Sequence, residues 1–200
     1  MGCEAKVETV HVTSENLLMT SDDGFRTEFE LAMINEDYAL AEKIAKSQTN
    51  ALPNDSRAWL QLAYPLMMLK QYDEASKVCE TALTLSPSSI HVHYTKGLVS
   101  QKHAESLVAN DKLETADQHY RRAIDSFNSC LKIDQTIVSH QPLYAAAHFG
   151  LAAAYEGLGT DDSRVVFHAN RYLDLYPDSP IRDEALDMIK LAKSYLCESP

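Results

Sequence analysis

The amino-acid sequence predicts an all-α solenoid of about four helical hairpins closed by a final helix. Three observations carry that prediction. First, the segment from Asp22 matches the segment from Ser56 at a constant offset of 34 residues: Phe25 with Trp59, Tyr38 with Tyr72, Ala41 with Ala75, Ala45 with Cys79, and Pro53 with Pro87. A fixed period of that length marks stacked helix pairs. Second, apolar residues recur at spacings of three and four, the signature of one buried helix face. Third, Pro53, Pro87 and Pro177 each follow such a stripe, where proline ends a helix because it cannot continue the hydrogen-bond ladder.

The elements follow in order. Residues 1–21 have no such stripe and are expected to form an irregular tail. The repeats are expected near 22–55, 56–88, 89–135 and 143–177, with the closing helix over 180–197. In the second repeat, Trp59, Leu62 and Leu66 line one face of the first helix, and Ala75, Cys79 and Ala82 line the second. The small residues allow close approach and the bulky ones fill the space between the helices. Pro65 falls inside the first helix, where it removes a bond to residue 61; it reads as a tolerated bend or as a kink that widens a groove. Ser88 or Ser89 supplies the next N-cap.

In the third repeat Ala123, Phe127 and Cys130 renew the second-helix stripe, 48 residues after Ala75, which is 34 plus 14. Fourteen residues are two heptads, so one heptad added to each helix keeps the antiparallel seam in register. Long helices are therefore expected near 89–109 and 113–133, turning at Asn110-Asp111. Exact continuation of the period places His93 and Lys96 where apolar residues are expected. The fourth repeat carries Ala147, Leu151, Ala152 and Tyr155, turns at Gly157-Leu158-Gly159, and continues with Val165, Ala169, Tyr172, Leu173 and Leu175. Pro180 opens the last helix, a favoured place for proline.

The pattern Trp59-x-x-Leu62-Ala63-x-x-Leu66, then Tyr72, Ala75, Cys79, Ala82 and Pro87, closely resembles the tetratricopeptide repeat. The resemblance extends over about residues 22–197. It implies a right-handed superhelix whose concave wall, built from the first helix of each hairpin, holds a peptide or a partner helix. Carried over by position, the wall residues are Arg26, Glu30 and Met33, then Arg57, Leu60, Tyr64, Met67 and Met68, then His91, Tyr94, Leu98 and Lys102, then Phe149, Ala153 and Glu156. Met67 and Met68 read equally as packing between helices. Leu60, Gln61 and Tyr64 stand where some relatives place polar residues that clamp a carboxylate, which argues against that mode.

Composition narrows the function classes. Lys plus Arg number 18 against 29 Asp plus Glu, a formal charge of −11 that disfavours nucleic acid and anionic membranes. The charge divides as −7 over residues 1–55, zero over 56–142 and −4 over 143–200; the acidic ends read as solvated helix faces that aid solubility or as surfaces that steer a basic partner. No run of 18 apolar residues is present. The four cysteines form no CxxC pair, and their spacing fits a reducing, cytoplasmic setting. Met1-Gly2-Cys3-Glu4 lacks an apolar segment behind it; the alternative reading makes Cys3 the lipid-bearing residue of a periplasmic or outer-membrane assembly factor. His91 and His93 lie two apart and cannot share a helix face, and HExxH, GxSxG and phosphate-binding glycine loops are missing. The expectation is a non-catalytic protein–protein scaffold with no metal or cofactor, an unidentified protein or peptide partner, and room for self-association.

Overall fold

The computed structural model describes residues 23–133 and 140–198, with side chains over 27–133 and 140–197. Cys3 and the expected tail lie outside the described residues, and Arg26 is described by its backbone alone, within the first helix. The described residues form nine α-helices: α1 (Asp23–Ile34), α2 (Tyr38–Ala51), α3 (Ser56–Met68), α4 (Tyr72–Leu85), α5 (Ile90–Val108), α6 (Leu113–Leu131), α7 (Gln141–Leu158), α8 (Asp162–Leu175) and α9 (Arg182–Glu198). They pair as hairpins α1–α2, α3–α4, α5–α6 and α7–α8, with α9 packed on α8. The third hairpin has 19 residues in each helix, against 13 and 14 in the second.

The turns inside the hairpins repeat one design. Asp37 N–H donates to Ala32 O, Gln71 N–H to Leu66 O, and Lys112 N–H to Leu107 O, at 2.8, 2.9 and 3.0 Å. Each bond closes a six-residue loop whose penultimate residue is left-handed: Glu36, Lys70 and Asp111 have φ of 57°, 60° and 57°, and Gly159 takes the same role in the fourth hairpin at 61°. Only Gly159 adopts this conformation without a Cβ penalty. Lys70 is exposed, so its side chain can be removed without opening the core. Lys70→Gly is therefore expected to stabilise the fold by roughly 0.5–1 kcal/mol, read as a rise in thermal midpoint.

The connections between hairpins repeat as well. Leu52, Ser86 and Tyr176 each end a second helix, donating to Gln48 O, Ala82 O and Tyr172 O. Pro53, Pro87 and Pro177 follow, and their carbonyls are used by the next helix: Trp59 Nε1 donates to Pro53 O at 2.8 Å, His93 Nε2 to Pro87 O at 2.8 Å, and Arg182 Nη1 to Pro177 O at 3.0 Å. His93 thus fills the Trp59 position by repeating its hydrogen bond. Lys96, at the Leu62 position, turns outward to an ion pair with Glu80 of α4 at 2.7 Å. Asp37, Asp55, Ser89 and Asp161 cap the helices they precede.

The core is built from small residues against large ones. Ala41, Ala75, Cys79, Ala82, Ala123, Cys130 and Ala169 are fully buried. Burial pushes the Cys79 and Cys130 thiols up to about 12, so both act as small apolar groups. Pro65 is also fully buried, so its ring packs into the interior. Phe127 of α6 is the largest fully buried side chain among the described residues, and it is seated between two glycines: a Cβ on Gly97 of α5 or on Gly150 of α7 would lie 2.6 Å from its ring.

Candidate partner-binding wall

The first helices of the second, third and fourth hairpins form one layer with α9. α3 touches α5, α5 touches α7 and α7 touches α9, in addition to each hairpin partner, whereas the second helices make no comparable contacts with one another. On α3, α5 and α7 a stripe escapes full burial at helical spacing. It runs through Arg57, Tyr64 and Met68 on α3, His91, Leu98, Lys102 and Glu105 on α5, and Ala146, Phe149, Ala153 and Glu156 on α7.

The residues expected on this wall divide into two groups. Leu60 (7% exposed) is packed on Ala82 and Val92, Met67 (6%) lies within the N-terminal core, and Tyr94 (7%) belongs to the central core with its ring centroid 5.9 Å from that of Phe127. These three point between helices, one position around the helix from the open stripe, and their side chains stabilise the stack. The second group remains partly open. Tyr64 and Met68 rest on the N-terminal core, Leu98 bridges the N-terminal and central cores, and the Phe149 ring lies 5.1 Å from that of Tyr172. Glu30 and Met33 are half-buried on α1. Burial raises the Tyr64 hydroxyl pKa and, more strongly, that of Tyr94, so both stay neutral donors.

The wall cations are held on their own helices. Arg57 Nε pairs with the cap residue Asp55 at 3.2 Å, and Lys102 Nζ with Glu105 at 2.7 Å. Between them, Arg57 and Lys102 leave α3 and α5 with apolar and aromatic wall surface whose positive charge is already neutralised.

α9 extends this layer. The sequence pattern presents it only as a cover for the open end, because Ala185, Met188, Ile189, Ala192 and Leu196 mark a buried face; the first four are buried in the structure, whereas Leu196, nearest the helix end, is 45% exposed. A second stripe shares the helix: Glu184, Leu191 and Tyr195, all exposed and spaced seven and four. Leu191 is 46% and Tyr195 51% exposed. That spacing is visible in the sequence but is overshadowed by the stronger buried face.

Six histidines form inter-helix pairs. His148 Nδ1 of α7 and His168 Nδ1 of α8 lie 2.9 Å apart, one ring donating and the other accepting. Burial lowers each pKa to about 4, helped by Arg171 beside His148 and by His148 and Arg164 beside His168, so both are neutral near pH 7. Tyr155 stacks on His168 at 5.8 Å, and Arg164 Nη1 donates to the Tyr155 hydroxyl at 2.9 Å. His103 and His119 pack at 4.0 Å between α5 and α6, and His91 of α5 meets His140, at the start of α7, edge-on at 6.0 Å. Among the described residues no three His, Cys, Asp or Glu side chains converge to hold a metal. No described helix is long and apolar enough to cross a membrane.

Known proteins supply the context for this wall. Residues 56–89 match the family model of the tetratricopeptide repeat. A 74-residue stretch is 38% identical to the TPR repeat-containing protein MJ1428 of Methanocaldococcus jannaschii; it covers 37% of this chain and only 12% of that protein's length. Among solved structures, an O-GlcNAc transferase mutant of Thermobaculum terrenum superposes with a TM-score of 0.59 at 20% identity, over 84% of this chain and 28% of the transferase. MamA from Desulfovibrio magneticus RS-1 superposes with a TM-score of 0.56 at 20% identity, over 87% of this chain and 90% of its own. At such identities the likeness is one of fold: an all-α helical solenoid.

Proposed function

We propose that this chain, a tetratricopeptide-repeat protein, is a non-catalytic scaffold that holds a peptide or helix of a partner protein along the wall of its first helices. The observation that supports this is the continuous, partly open stripe of Tyr64, Met68, Leu98 and Phe149 across α3, α5 and α7. Apolar side chains left partly exposed in one row, with Arg57 and Lys102 tied to carboxylates beside them, suit the burial of another chain's apolar face.

Affinity capture from cells that make the protein tests the reading. Leu98→Glu places a charge in the middle of the row without entering a fully buried site. It is expected to reduce recovery of bound partners at least tenfold, since a desolvated charge opposite an apolar surface costs more than about 1.4 kcal/mol. Thr84→Glu, on an exposed position of α4, is expected to leave recovery unchanged. Equal recovery by wild type and Leu98→Glu, with both folded, would remove the wall as the binding surface.

A further inference from the structure

The C-terminal end of the wall differs chemically from the rest. On α7, Phe149 and Ala153 are half-buried and Glu156 follows them on the same face. On α9, which packs beside α7, Leu191 and Tyr195 are about half exposed and Glu184 starts their stripe. The result is an apolar strip flanked by two carboxylates. Neither Glu156 nor Glu184 forms an ion pair among the described residues, where the paired cations are Lys46, Arg57, Lys96, Lys102, Arg164 and Arg171, each bound to another carboxylate. Partial loss of solvent, and next the nearby charge of Glu184, raise the Glu156 carboxyl pKa. Glu156 thus gives up solvation beside a like-charged neighbour, with no cation paired to it among the described residues, an arrangement relieved by a cation from outside. The surrounding charge has the same sign, since residues 143–200 carry five basic and nine acidic side chains.

We propose that this end of the wall binds a basic, apolar peptide segment of the partner. Its apolar side chains cover Phe149, Leu191 and Tyr195, and a Lys or Arg sits against Glu156 and Glu184. The proposal rests on the scaffold reading above and adds the chemistry of what is held. Charge complementarity selects the occupant: an acidic segment would bring further negative charge to an unpaired acidic pair, whereas a cation beside aromatic rings gains both ion pairing and attraction to the ring faces.

Fluorescence anisotropy with three labelled 18-residue amphipathic peptides tests it on the whole chain. One is built from Leu and Lys, one from Leu and Gln, and one from Leu and Glu. The Leu/Lys peptide is expected to bind at least tenfold more tightly than Leu/Gln, with Leu/Glu weakest. The double variant Glu156→Gln/Glu184→Gln is expected to bring Leu/Lys binding to the Leu/Gln level. A control, Glu74→Gln/Asp125→Asn, removes the same charge from α4 and α6 and is expected to leave the preference in place. Equal binding of Leu/Lys and Leu/Gln, or equal losses in the two double variants, would overturn the proposed selectivity while leaving the wall intact. Failure of all three peptides to bind would count against the wall itself.

Discussion

Phe127→Ala is expected to destabilise the protein by about 4 kcal/mol, more than truncation of any half-buried wall residue. Phe127 has no solvent exposure and sits where α5, α6 and α7 meet, with the Tyr94 ring centroid 5.9 Å away. Its ring faces the bare backbone of Gly97 and Gly150. No side chain at either glycine can move into the vacated space, so the cavity can shrink only if whole helices shift, which places the cost high in the usual range. For a chain of this size the thermal midpoint should fall by roughly 8–16 °C. The glycine contacts make a sharper test. Gly150→Ala alone should destabilise, because its Cβ would stand 2.6 Å from ring carbons that have nowhere to go. In the Phe127→Ala background the same methyl group would fill part of the cavity, and the double variant should recover about 1 kcal/mol. Strictly additive losses would show that the ring is not held between the two glycines.

Acidification should loosen the fourth hairpin. In the folded state His148 and His168 are neutral, with pKa values of about 4. In the unfolded chain both return to about 6.5. The unfolded chain therefore binds more protons between those values, so the stabilisation is fully present above about pH 6.5 and is lost as the pH falls toward the folded value. His148 is partly exposed, so solvent screening cuts the effect to about 2 kcal/mol for the pair. His91, His103 and His119 are shifted the same way by burial and add to the slope. Asp161, held low mainly by Ser163, loses its contribution only in more acid solution. Thermal melts taken from neutral to mildly acid buffer should show a falling midpoint for the wild type. His148→Leu/His168→Leu should show a shallower fall. Parallel curves for the two proteins would mean that the histidine pair does not govern the response.

Much of the architecture is legible in the sequence, and the parts that are not have physical causes. Period and stop signals survive because Pro53, Pro87 and Pro177 act through the backbone, whatever the tertiary context. The 14-residue surplus of the third repeat identifies elongated helices because two heptads preserve the seam. His93 looks out of place to an apolar template, yet it satisfies the hydrogen bond to Pro87 that Trp59 makes to Pro53. The wall is harder to read. Leu60, Met67 and Tyr94 sit one helical step from the open stripe, and a step of about 100° decides whether a side chain faces a neighbouring helix or the wall. The pairing of His148 with His168 depends on the tilt between α7 and α8, which their separation along the chain does not encode. The α9 stripe lies on a helix whose buried face accounts for most of its apolar residues, so the additional surface is hidden by a sufficient explanation.

Photo-crosslinking with the Leu/Lys peptide tests the central claim most directly. A benzophenone amino acid is introduced in turn at Leu98 and Phe149 on the wall and at Phe167 on α8, which is 56% exposed and therefore accessible. Adducts at positions 98 and 149, with little or none at 167, are the predicted result. A dominant adduct at position 167, with the wall positions unlabelled, would show that the partner is held on the opposite layer and would contradict a binding wall built from the first helices.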